Sequence, residues 1–219
     1  MNYILRVFIQ RGLGVLMFLL GSWWTMNLRA WVYFIGYFLI TIISCYIMHN
    51  VNKETLAERG KINTDSPKWD KIILTIYWLL TFFVIYLVAG LEMNEADKPG
   101  IIFAMGIILQ IPVTIISLKA MMVNTFLEST SRVQFDRSQI VCKEGPYKII
   151  RHPTYLAILI WCISISMIFE TKLVLIISII IAGLIVIRTY LEDKMLKEKL
   201  KGYEEYSHEV KYRLIPLIW

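Results

Sequence analysis

The chain has 219 residues, 57% of them hydrophobic and 18% charged, with a formal charge of +6. Its mean hydropathy of +0.59 is too apolar for an ordinary soluble domain of this length and marks an integral membrane protein. The apolar runs far exceed the roughly 10-residue strands of a barrel, so the fold class is all-α: a polytopic helix bundle, read as one membrane domain over 1–219.

Six apolar segments follow in chain order, at 9–26, 30–48, 72–91, 100–123, 155–169 and 173–187. The first lacks a cleavage-site pattern and reads as a retained helix. The last two hold 15 residues each, where a span normally needs about 20, and only Glu170-Thr171-Lys172 separates them. They are expected to form a short hairpin, or a re-entrant pair shielded by other helices. Lysines and arginines number two at the first segment's N-terminal end (Arg6, Arg11), one after it (Arg29) and five in 49–71. They continue as one in 92–99, five in 124–154, one at Lys172 and seven from 188 onward. High and low alternate if all six segments cross, which predicts that both termini and the long loops are cytoplasmic. The basic excess then suits an anionic leaflet and calls for no nucleic acid. Cys45, Cys142 and Cys162 have no metal or redox spacing and read as small apolar residues.

Within the first long loop, Asp65-Ser66-Pro67 predicts a helix start with Ser66 as cap and Pro67 at the first helical position. Gln110 and Pro112 predict a kink in the fourth segment, where plain helix shaping is the simpler alternative. The 32-residue tail opens "RTYLEDKMLKEKLKGYEEY", with Leu191, Met195, Leu196 and Leu200 at helical spacing and Gly202 as a stop. It predicts a C-terminal helix that leaves the bilayer and lies near its surface.

Polar chemistry gathers where the fifth segment begins, in "GPYKIIRHPTYLAILIW" (145–161). Pro153 favours the first turn of a helix, so His152 becomes its cap and free backbone N–H groups await an anion. Arg151 adds charge, and Tyr147 and Tyr155 add rings and hydroxyls; each alone is an ordinary interfacial anchor, but the contiguous motif is harder to explain so. Arg188 and Glu192, four residues apart, share a helix face and form either a surface ion pair or part of a site. Asp193, Tyr203, Tyr206 and Arg213 extend this cluster, whereas His208 and His49 read as incidental. There is no Gly-rich phosphate loop, metal-ligand spacing or nucleophile beside a base, which disfavours hydrolases and ATP-driven pumps. A polar ligand and a lipophilic one could meet at this face.

"GPYKIIRHPTY", "RTYLEDKML" and "GYEEYSHEVKYRLIP", in this order, resemble the isoprenylcysteine carboxyl methyltransferase family, which is related to membrane phospholipid methyltransferases. The resemblance runs from Arg132 to Trp219, with a weaker echo in "ERGKINTDSPKWD" similar to bacterial members, and so implies a prokaryotic plasma membrane. It implies a cytoplasmic S-adenosylmethionine pocket lined by Gln134, then Gln139, Ile140, Val141 and Cys142, then Tyr147 and His152, Pro153, Thr154 and Tyr155. Glu192 would hold the cofactor's ammonium or ribose end, and Arg188 would be the catalytic residue facing a substrate carboxylate. Ala157 stands where the family often has Gly, Asp193 where it has a second Glu, and Asp136 where an acid, often Glu, is usual. The resemblance implies no metal, a catalytic region at 132–219 and a lipophilic small-molecule or lipid acceptor, a carboxylate giving a methyl ester. An amine or thiol acceptor is the alternative within the class, and a non-enzymatic membrane scaffold or lipid-binding protein the alternative outside it. The 124–151 loop is the natural segment to order over a bound cofactor.

Overall fold

The computed structural model describes residues 3–61, 65–94, 98–216 and 218–219. All regular structure among them is helical. Helices α1 (Tyr3–Gly21), α2 (Leu28–Val51), α6 (Ile101–Val123) and α8 (Lys172–Lys199) are each long and apolar enough to cross a membrane. Helices α4 (Lys68–Leu79) and α5 (Ile85–Leu91) join through a π-helical turn, Leu80–Val84, into a fifth crossing of 24 residues. Helix α7 (Pro153–Phe169) is apolar but only 17 residues, about 25 Å at 1.5 Å per residue, slightly less than the hydrocarbon core. Two short helices, α3 (Lys53–Gly60) and α9 (Tyr203–Glu209), complete the set.

The two arms of the expected hairpin differ in length. The final apolar segment does not stop at 187 but continues, as α8, through the polar stretch to Lys199. Nothing between Leu173 and Leu200 breaks a helix, since the first glycine after Gly183 is Gly202, which takes a left-handed φ of +83° and ends the run. The tail helix read from its leucines is therefore the emerging end of α8. The turn between α7 and α8 uses Glu170 at φ +52°, held by a 2.7 Å ion pair to Arg29. Glu92 meets the first turn of α8 by accepting from the Leu173 N–H at 2.7 Å.

Packing is closest between α6 and α7 and between α1 and α5. The second contact depends on Gly21 and Gly90, where a Cβ on either would overlap the backbone of the facing helix. Around it, Phe18, Tyr33, Phe34, Tyr86 and Phe169 form a buried aromatic cluster, in which the Tyr33 and Tyr86 hydroxyls bond at 2.9 Å. Pro112 lies inside an uninterrupted α6, and Gln110 donates to Ser164 Oγ at 2.6 Å, joining α6 to α7 by a polar contact between spanning helices. The predicted start at Ser66-Pro67 moves by one residue: α4 begins at Lys68 after Pro67, and the buried Ser66 Oγ makes no capping bond. Residues 62–64 of the "ERGKINTDSPKWD" echo lie outside the described residues. This architecture leaves the two long connections and the end of α8 together at one end of the bundle.

Candidate functional site

At that end a cavity of about 290 Å³ opens between α1, α3, α4, the 124–152 connection, the start of α7 and the emerging part of α8. A second cavity of about 330 Å³, lined mainly by apolar side chains of α2, α6 and α7, shares Arg11, Arg59, Tyr77, Phe82 and Thr154 with the first. Polar and apolar compartments thus meet along one wall. Phe82 belongs to the π-helical turn between α4 and α5, an irregularity often found at functional sites.

The floor of the polar cavity is a linked set of charges. Asp70, in the first turn of α4, is fully buried and receives Arg188 Nε at 2.9 Å and Nη2 at 2.8 Å. The Ser131 N–H completes Asp70 at 2.9 Å. Arg188 also donates to Ser129 O at 2.9 Å and Ser131 Oγ at 3.2 Å, with its guanidinium 5.4 Å from the Tyr155 ring centre. Ser131 Oγ and the Tyr155 hydroxyl both donate to Glu192 Oε2, whose partner atom Oε1 lies 3.9 Å from His152 Nδ1 and accepts no hydrogen bond among the described residues. Arg188 and Glu192 share a face as their spacing requires, yet the ion pair is Arg188–Asp70; Ser131 and Tyr155 bridge to Glu192.

Asp193, one residue on, turns about 100° away and organises a different cluster. It receives Arg151 Nε at 2.7 Å and Nη2 at 3.0 Å, Arg213 Nε at 2.9 Å and the Tyr203 hydroxyl at 3.0 Å, with His152 Nε2 at 3.3 Å. Arg151 Nη1 also donates to Val210 O and Lys211 O, while the N–H groups of Arg151 and His152 bond Tyr212 O and Arg213 O. Burial opposes the Arg151 charge, but its bonds to Asp193 outweigh that and hold the guanidinium above its ordinary value. Burial, reinforced by Asp193, keeps the Tyr203 phenol above its own. Arg151 is therefore a clamp on the C-terminal segment, not a free charge at the membrane threshold. Tyr206 closes the same wall by donating to Tyr147 O at 2.7 Å, within a small apolar cluster with Leu200, Tyr203 and Val210.

Of the residues singled out from sequence, Gln139, Ile140, Val141, Cys142 and Tyr147 line the polar cavity. So do His152, Thr154, Tyr155, Arg188 and Glu192. Gln134 and Pro153 do not. Gln134 is buried behind the wall, donating to Phe126 O at 2.6 Å and accepting from Arg137 at 2.5 Å, while its N–H holds Gln139 Oε1 at 2.8 Å. Pro153 is the buried first residue of α7, with His152 at the cap position as predicted. The expected row of free N–H groups there reduces to Thr154, because Tyr155 and Leu156 both bond His152 O. Burial pushes the Tyr147 phenol above its usual value, so its ring is presented neutral. Asp70 and Ser131 were missed, although an acid in the first turn of an apolar helix, in a chain with an arginine bordering membrane, was the available signal.

The geometry defines a class: an integral membrane helix bundle with a charged cavity set against an apolar one at a single end. A family model, the isoprenylcysteine carboxyl methyltransferase (ICMT) family, matches residues 106–198, from within α6 almost to the end of α8. That stretch is similar to this family of methyltransferases, and it contains every cavity residue that the motif resemblance had named. No curated protein matches the chain.

Proposed function

We propose that the protein is an S-adenosylmethionine-dependent methyltransferase that methylates the carboxylate of a lipophilic molecule entering from the bilayer, with its site facing the cytoplasm. The observation that carries this reading is the shared wall between a polar cavity in the family-matched region and an apolar cavity between spanning helices. One compartment suits a soluble, zwitterionic cofactor and the other a hydrocarbon chain. Orientation toward the cytoplasm rests on the alternation of lysine and arginine along the chain.

The residues present fit such a cofactor. Glu192 Oε1 is left to accept from an ammonium or ribose hydroxyl, and the Thr154 N–H is left to donate to a carboxylate. The Tyr147 and Tyr155 rings offer faces to a cation. When bound, the cofactor supplies a methyl on a sulfonium sulfur, whose C–S bond breaks as the acceptor O–C bond forms and whose electron pair returns to sulfur. A carboxylate acceptor needs no base, since it is already ionised at neutral pH. The protein's task is then to hold two reactants in line, a gain of about 7–11 kcal/mol in well-oriented systems. Arg188, fixed by Asp70 and Ser129, keeps Nη1 to orient the acceptor.

The test is calorimetric titration of S-adenosylhomocysteine into the full-length protein in detergent, with Glu192→Ala alongside. Saturable binding that the variant loses is the expected result. Absence of binding to folded wild-type protein would overturn the reading and leave a lipid-binding scaffold in its place.

A further inference from the structure

The chain has nine arginines, and six of them are ion-paired: Arg29, Arg132, Arg137, Arg151, Arg188 and Arg213. The other three, Arg6 and Arg11 of α1 and Arg59 of α3, have no carboxylate partner among the described residues and all face the polar cavity. Arg11 and Arg59 also line the apolar one. Anchoring of a cytoplasmic helix end accounts for basic residues at this level, but anchors reach out to lipid headgroups, whereas these side chains turn inward. Arg6 is buried, with Nη2 on the backbone oxygen of Arg59 and 3.4 Å from Ser129 Oγ. Arg59 reaches Tyr3 and Glu128 O. Arg11 lies flat against Tyr37, 3.6 Å from the ring centre, and its buried Nε has no hydrogen-bond partner. Three guanidinium charges around one partly desolvated space repel one another unless an anion joins them. Asp70 neutralises Arg188, and Glu128 pairs with Arg132. Glu192, which also lines the cavity, is held by Ser131 and Tyr155 and ion-pairs with none of the three, so their positive charge on the α1–α3 side has no paired carboxylate among the described residues.

We propose that Arg6, Arg11 and Arg59 form an anion seat, and that the acceptor is an anionic amphiphile whose carboxylate or phosphate rests there while its chain fills the apolar cavity. As a statement about the acceptor this rests on the methyltransferase reading; as a binding site it stands alone. For a carboxylate, methylation removes the charge that holds the molecule, so the ester is released by the reaction that makes it.

The experiment titrates dodecyl phosphate, laurate and methyl laurate into full-length protein in an uncharged maltoside detergent, with S-adenosylhomocysteine titrated separately. At least one anion is expected to bind about tenfold or more tightly than the neutral ester. The tighter of the two anions identifies the headgroup chemistry. Arg11→Gln, which removes a charge without breaking a hydrogen bond to the protein, should bring the anion down to the level of the ester, and Arg11→Lys should retain part of the preference. Equal binding of anion and ester, or unchanged anion binding by Arg11→Gln with a wild-type melting temperature, would overturn the proposal. A parallel loss of S-adenosylhomocysteine affinity in Arg11→Gln would assign the arginine to the cofactor and overturn it too. Anion selectivity that disappears in Arg11→Gln, in a protein that binds no S-adenosylhomocysteine, would support the seat and remove only the methyltransferase reading.

Discussion

Removing the Asp70 carboxylate tests the charge set at its foundation. Asp70 is fully buried and accepts from Arg188 at 2.8–2.9 Å and from the Ser131 N–H at 2.9 Å. Asp70→Ala leaves the buried Arg188 guanidinium without its paired carboxylate and the Ser131 N–H without an acceptor. Breaking a buried pair from one side costs about 3–5 kcal/mol, whereas replacing both partners by apolar groups of similar volume is often neutral. The double variant Asp70→Leu with Arg188→Met should therefore recover most of the loss in reversible detergent-denaturant unfolding, and a full cycle of single and double variants gives the coupling directly. It should not recover binding or transfer, since Arg188 has gone. Wild-type stability in Asp70→Ala, or a double variant no more stable than the single, would refute the claim that Arg188 is held by Asp70.

Three further outcomes follow from the same contacts. Tyr155→Phe deletes one of the two donors to Glu192 Oε2 and should weaken S-adenosylhomocysteine binding by about tenfold, the lower end of a hydrogen bond to a charged group; calorimetry checks it, and unchanged affinity counts against Glu192 as a positioned ligand. Asp193→Asn weakens charged bonds to Arg151 and Arg213, each worth about 1.5–3 kcal/mol, and should expose Lys211 and Arg213 to trypsin sooner than in wild type. Burial, with a smaller push from the Glu144 charge, raises the Cys142 thiol above its ordinary value. Alkylation requires thiolate, so iodoacetamide should label Cys142 more slowly than a free cysteine near neutral pH, with the rate still climbing above the usual thiol range, and bound S-adenosylhomocysteine should slow it further.

What could be read from the chain was local. The Pro153 start of α7, the shared face of Arg188 and Glu192 and the inward-facing Tyr147 and Tyr155 follow from proline chemistry, helical spacing and a motif that recurs in a family. The last spanning helix was divided into a span ending at 187 and a separate tail helix because hydropathy falls at Arg188, while helix continuity depends on the absence of glycine and proline as far as Gly202, the stop read from the sequence. Gln134 belonged to the right loop but faces inward to Phe126 and Arg137, an orientation set by the fold of the loop and not by its spacing. Asp70, Ser131 and the α1–α3 arginines join the site across separations that no periodicity records: Asp70 and Arg188 are 118 residues apart. Charge-pair logic, an arginine at the membrane needing an acid somewhere, points to such a partner without naming it.

The clamp between Arg151 and the 207–213 segment also orders events during synthesis. Among the described residues, every helix long enough to cross the membrane precedes Val210, Lys211 and Tyr212, which receive Arg151, in the order of synthesis. The start of α7 is therefore made long before its partners, and the wall around His152 closes only when the 207–213 segment folds back on it. A chain truncated shortly after Lys199 would keep every described helix long enough to cross the membrane and lose every backbone acceptor of Arg151.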